Sequence, residues 1–312
     1  MFAPAAVTVA LSCRPTSGLG SVSFLRGGKA HVVDLSTCRE RIVGPPQTNT
    51  IVSADGRWQA AVRSSGNGKT AKQTIWVTDR RTKRSHPVFS ETQYYKTIGP
   101  GETPGPILLL RWSGDDRWIF FSIDPGGSGS IAADGLTLRV VSASGGRARP
   151  LVRMLVYRDY LAWCGGRLVF TAGVDRVATH NKRLLVAAPP QWHPQPLVVA
   201  PQRAWGSVVC TPDGRAVVVQ SQPASDNPSF FATRWALWRA GLDGSGRRLT
   251  SPPAGYADES PRFAADRRTL LFVRSRKGSG RLYALRNRRV LGPLLSLGYS
   301  PGFYGHHAWW VD

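Results

Sequence analysis

One short phrase recurs along this chain: "VSADGRWQAAV" (52–62), "WSGDDRWIFF" (112–121), "CTPDGRAVVV" (210–219) and "FAADRRTLLFV" (263–273). Each sets small residues before a turn Asp, follows it with Arg, and then runs into Val, Ile, Phe or Leu. Aligned on Asp55, Asp115, Asp213 and Asp266, the middle interval is double a unit of roughly 50 residues, which predicts a degenerate copy between Asp115 and Asp213. "LAWCGGRLVF" (161–170) supplies it, with Gly165-Gly166 at the turn. Self-similar units of roughly 40–50 residues, each made of short strands, cannot bury an apolar face alone; stacked around an axis they form a propeller.

The fifth unit shows the internal grammar. "SVVCTPDG" reads as strand a, "RAVVVQSQ" as b, "RWALWRAGL" as c and "RRLT" as d after the turn "DGSG". Val, Ile, Phe and Trp suit a pleated, half-buried surface, and Asp-Gly and Gly-Ser pairs tolerate the positive φ of tight hairpins. No segment sustains a helical apolar period. The predicted fold is an all-β, six-bladed propeller with four-stranded antiparallel blades. The blades are expected at 18–44 plus 305–312, 45–90, 105–153, 154–199, 203–250 and 257–295, in one domain over 1–312. The first unit, "GSVSFLRGGKAHVVDLSTCRERIV" (20–43), reads only as b, c and d, and "HAWWVD" (307–312) supplies its missing strand a, closing the ring.

Three of the segments, "ALWRAGLDGSGRRLT" (236–250), "TPDGRAVVV" and "YADESPRFAADRRTLLF" (256–272), resemble the blades of TolB-like six-bladed propellers. The resemblance runs over nearly the whole chain, and its motif is structural. It implies the propeller only; the six units leave no room for the additional N-terminal α/β domain of TolB, so contacts made through that domain are not carried over.

Composition bounds the partners. Among 312 residues, 41 Lys and Arg against 19 Asp and Glu leave a formal charge of +22, which attracts nucleic acid, phosphate-rich envelope or other polyanions. The basic residues are dispersed, with "DRRTKR" (79–84) the longest block, which argues against a dedicated nucleic-acid site. No run of ~20 apolar residues is present to span a bilayer as a helix. "MFAPAAVTVALSC" lacks a basic n-region and reads either as a shortened export signal or as an ordinary first strand.

None of the four cysteines forms a C-x-x-C, so zinc and thioredoxin-type chemistry have no support. Cys164 and Cys210 occupy the same slot in successive units, and Cys13 can reach Cys38 in the outer turn of blade one. Two disulfides or four buried thiols both fit; disulfides imply an oxidising, extracytoplasmic compartment.

Two candidate sites follow. Arg57, Arg117, Arg167, Arg215 and Arg267 follow the turns and would form an anion-binding ring on the a–b face, unless each guanidinium is spent on a turn Asp. On the opposite face, Tyr94, Tyr95, Tyr256, Asp258, Glu259, Tyr304, His306 and His307 are expected to gather near the channel mouth as a recognition patch, the alternative being that Asp258 and Glu259 cap a blade and the tyrosines pack on loops. Adjacent strand residues point to opposite faces, so His306 and His307 are not expected to share a metal. "GNGKT" (66–70) lacks the first Gly and the following helix of a phosphate loop, and "GGSGS" (126–130) lacks the last Gly of a nucleophile elbow. No cofactor or metal is implied. The leading expectation is a monomeric, non-catalytic propeller binding a protein, peptide or envelope component. The alternatives are a propeller lyase or hydrolase using the acids and histidines, and a polyanion binder.

Overall fold

The computed structural model describes residues 7–9, 12–43, 49–66, 72–92, 107–124, 135–174, 177, 180–224, 234–300, 306–307 and 309–311. It contains six four-stranded antiparallel sheets, the blades of a six-bladed β-propeller. Among the described residues the helical content is one 3₁₀ turn, Arg158–Tyr160.

One compact unit comprises residues 47–176 and 184–196. It carries three blades: β5 (Thr50–Val52), β6 (Trp58–Ser65), β7 (Lys72–Asp79) and β8 (Ser85–Thr92); β9 (Ile107–Trp112), β10 (Trp118–Ile123), β11 (Leu136–Ser142) and β12 (Arg149–Met154); β13 (Leu161–Cys164), β14 (Arg167–Ala172), β15 (Arg183–Ala187) and β16 (Gln195–Pro196). Apolar side chains of successive sheets interdigitate here. Ile75, Val77 and Val88 pack with Leu109, Ile119 and Phe121, and Phe120 and Leu138 pack with Leu168, Phe170 and Trp192.

The other unit comprises residues 1–46, 177–183 and 197–312. Its blades are β1 (Val7–Val9), β2 (Ser21–Arg26), β3 (Lys29–Asp34) and β4 (Arg39–Val43); β17 (Arg203–Cys210), β18 (Ala216–Pro223), β19 (Ala236–Gly241) and β20 (Gly246–Arg248); β21 (Ala257–Phe263), β22 (Leu270–Arg276), β23 (Ser279–Arg286) and β24 (Arg289–Tyr299).

The chain ends meet in this second unit as the sequence predicts. Leu25 N donates to Trp309 O and Val311 N to Ser23 O, both at 3.1 Å, and Phe24 and Trp310 form an antiparallel bridge. The tail thus covers the free edge of β2. The blade also has a strand that the repeat reading left open. β1 pairs antiparallel with β4, with Val7 opposite Arg41 and Val9 opposite Arg39, and so adds an outer strand. Behind it, Cys13 and Cys38 form a disulfide with their Cα atoms 5.8 Å apart. Cys164 and Cys210 are disulfide-bonded as well, and no cysteine is free.

The recurring Asp closes hairpins. Ser53, Ser113 and Thr211 each donate a hydroxyl to the carboxylate two residues on, at 2.6, 2.5 and 2.6 Å, and the same carboxylates accept the backbone N–H of Arg57, Arg117 and Arg215. The hydroxyls in turn accept the backbone N–H of Trp58, Trp118 and Ala216. These bonds replace a ladder the chain cannot make at the turn. They hold Asp55 and Asp213 below the usual carboxylate range, the hydroxyl bond being the largest cause. The residue after each Asp takes positive φ: Gly56 73°, Asp116 57°, Gly214 69° and Arg267 54°.

That last value moves one expected site residue. Arg267 occupies the left-handed slot held by Gly or Asp in the other blades, and it is Arg268 whose N–H reaches Asp266, at 2.9 Å. The member of the arginine series in this blade is therefore Arg268, the register being set by the turn rather than by the first Arg after Asp.

Candidate functional site

β21 begins the innermost strand of its blade, and Asp258 and Glu259 are both buried on it. The strand is kinked there. Ser260 adopts φ 51°, the register to β22 shifts between Glu259 and Arg262, and Ser260 N donates to Gln220 Oε1 at 2.9 Å. A bulge of this kind re-aims side chains. Asp258 accepts a bidentate pair from Arg274, Nε at 2.6 Å and Nη2 at 2.9 Å, a geometry that fixes both planes. The bond with Asp258 raises the Arg274 pKa despite its burial.

Glu259 binds the tail. Its Oε1 accepts Trp309 Nε1 at 2.9 Å, and its Oε2 lies 3.1 Å from His307 Nδ1. One residue on, Ser260 O accepts Trp310 Nε1 at 2.8 Å. Burial pushes the Glu259 carboxyl up, but the His307 charge and the bonds from His307, Ser275 and Trp309 outweigh it and hold it below its usual value. Burial would lower His307; the Glu259 charge and bond raise it instead. The indole of Trp309 rests on Gly280, where a Cβ would collide with the ring, and it joins the core of Phe24, Leu282, Leu295 and Leu297.

Of the expected recognition patch, the structure brings Asp258, Glu259 and His307 to one place but spends them on internal bonds. His306 is buried. Tyr256 is half-buried, with the Arg276 guanidinium over its ring at 5.4 Å. Tyr94, Tyr95 and Tyr304 lie outside the described residues. Among the described residues no three His, Cys, Asp or Glu side chains converge to hold a metal ion.

The arginines behave individually. All five named from the sequence are exposed. Arg57 donates from Nε and Nη2 to Asp79, at 3.1 and 2.9 Å, and lies over Trp58 at 4.6 Å. Its partner is thus the buried Asp79 of β7, not a turn Asp. Arg267 Nη2 donates to Pro212 O at 3.2 Å. Arg167 follows the two-residue hairpin of Gly165 and Gly166, whose φ values are both positive.

Sequence reasoning missed a cleft of about 510 Å³ at the a–b turn end of the second and third blades. Trp58, Trp118, His86, Asp116 and Arg117 line it, with Val77 and Ala143. The signal was present: the phrase reads Arg-Trp in these two copies alone.

No family model and no curated protein sequence matches the chain. Solved six-bladed propellers do. A putative TolB from Agrobacterium tumefaciens is 14% identical, with a TM-score of 0.54 over 93% of this chain and 97% of that one. TolB from Acinetobacter baumannii is 13% identical, with a TM-score of 0.50 over 86% of this chain; the match spans 61% of that protein's length. A prolyl endopeptidase structure is 14% identical, with a TM-score of 0.52 over 89% of this chain and 38% of its own. These likenesses show a TolB-like propeller fold, and they include TolB structures and a prolyl endopeptidase alike.

Proposed function

We propose that the chain is a non-catalytic binding propeller that holds a protein or peptide partner on the face bearing its b–c and d–a loops, in an oxidising, extracytoplasmic setting. The observation that carries this reading is the fate of the inner-strand acids. Asp258 is locked to Arg274 and Glu259 to His307 and Trp309, so these carboxylates serve the scaffold rather than a substrate. A propeller of sheets presents loops from its blades, which is the use such a scaffold suits best. The disulfide-bonded state of all four cysteines supports the compartment.

The test is capture from envelope and soluble fractions of the source cell, comparing wild type with Tyr94→Ala/Tyr95→Ala/Tyr304→Ala. The expected result is a discrete partner retained by wild type and lost by the triple variant. The same partner retained by both would remove this face from the reading.

A second reading, a propeller lyase or hydrolase, is favoured by one observation: Glu259 and His307 stand within hydrogen-bond reach, as an acid–base pair would. Turnover of a polysaccharide or peptide substrate that Glu259→Gln abolishes without loss of fold would establish it in place of the first.

A further inference from the structure

The cleft between the second and third blades is a site of its own, on the end of the blades opposite the loop face proposed above. The residue that follows the turn Arg is Trp58 in one blade and Trp118 in the next, whereas the remaining copies place Leu168, Ala216 and Thr269 there. One backbone repeat therefore produces an indole-walled cleft only where two adjacent blades carry Trp. Both rings are held in place. Arg57 covers one face of Trp58 and is itself anchored to Asp79, while Trp118 packs edge-on against Trp192 with ring centroids 5.1 Å apart. Rigid aromatic platforms of this kind bind at low conformational cost.

The polar lining carries both signs side by side. Asp116 is fixed by a 2.8 Å bond from Ala54 N to its Oδ1, and the next residue, Arg117, brings a guanidinium. Ser142 and Ser144 add hydroxyls, 2.7 Å apart, and His86 is oriented by its Nε2 bond to Ala143 O at 2.9 Å. The ionised lining residues cancel, in a protein of net charge +22. A cation would meet Arg117 and an anion would meet Asp116. A neutral ring with a C–H face for the indoles, and hydroxyls that both donate and accept, satisfies every group present. The volume, about 510 Å³, falls within the range of small-molecule sites.

We propose that this cleft binds a neutral saccharide, a short oligosaccharide whose sugar rings stack on Trp58 and Trp118 while its hydroxyls bridge Asp116 and Arg117.

The test is calorimetric titration with cellotetraose, maltotetraose and N-acetylchitotetraose. Saturable binding of at least one is expected, weakened about tenfold or more by Trp58→Ala and by Asp116→Asn/Arg117→Ala. Asn keeps the left-handed backbone of position 116, so the rim variant tests the site even where Trp58→Ala perturbs folding; unchanged thermal midpoints verify this. No saturable binding of any of the three at millimolar sugar overturns the proposal. So does binding that the rim variant leaves unchanged, or tighter binding of oligogalacturonate or a lysine-rich peptide. Partner capture through the loop face should be unaffected by the rim variant, which separates failure of this site from failure of that reading.

Discussion

Glu259 shows how one carboxylate can decide what a chain end does. It receives Trp309 Nε1 and faces His307 Nδ1, and both partners belong to the tail. The pair has a pH signature. His307 is raised above 6.5, so its contribution is complete below about pH 6.5 and is lost as pH rises through the raised value. Glu259 is lowered below 4.5, so its contribution is present above about pH 4.5 and is lost only as pH falls through the lowered value. The clasp is therefore fullest between these limits. The stability difference between wild type and His307→Gln, measured by urea unfolding, should be largest near pH 5.5 and shrink as pH rises toward 9. A difference independent of pH would show that the contact is not ionic. The sequence named these residues but put them at a solvent-facing mouth. The bulge at Ser260, a left-handed residue with no Gly to announce it, is what turns Glu259 toward the tail.

At the scale of strands and turns, the repeat made the blades legible, because each Asp hairpin needs the same hydroxyl and carboxylate at the same spacing. Asp55, Asp115 and Asp213 carry that grammar without change; Asp266 lacks the preceding hydroxyl, since Ala264 stands there, and recruits Thr269 Oγ1 instead at 2.6 Å. Counting from the Asp to the nearest Arg gave Arg267 because an Arg fills the left-handed slot held by Gly or Asp in the other copies. The outer strand β1 was less legible. Three residues pairing with β4 carry no periodicity of their own, and the Cys13–Cys38 bond is what fixes the chain just beyond them. With a separation of 25 residues, replacing both cysteines by Ser should cost about 3–4 kcal/mol, read from urea unfolding midpoints. Reduction of wild type should cost more than this double substitution, because the disulfide bonding of Cys164 and Cys210 is lost as well. The cleft went unread for a different reason: Trp at the first position of β6 and β10 looks like ordinary strand filling until adjacent copies are compared.

For the molecule as a whole, the seam where the tail lies on β2 joins the late end of the chain to an early strand. Trp309 is 1% exposed and packs among side chains of the first and last blades. Trp309→Ala should cost about 3–5 kcal/mol. Gly280→Ala should mimic part of that loss by driving the indole from its seat, though it removes no apolar group. A Gly280→Ala variant as stable as wild type in thermal unfolding would show that the seat has slack. The likeness to TolB and prolyl endopeptidase structures is one of fold alone.

The seam also sets a timetable. β2 is translated early and residues 309–311 late, so a nascent chain leaves the ribosome with the inner edge of its first sheet bare, a template for pairing with any passing strand. Locking must wait for synthesis to reach the last tryptophans.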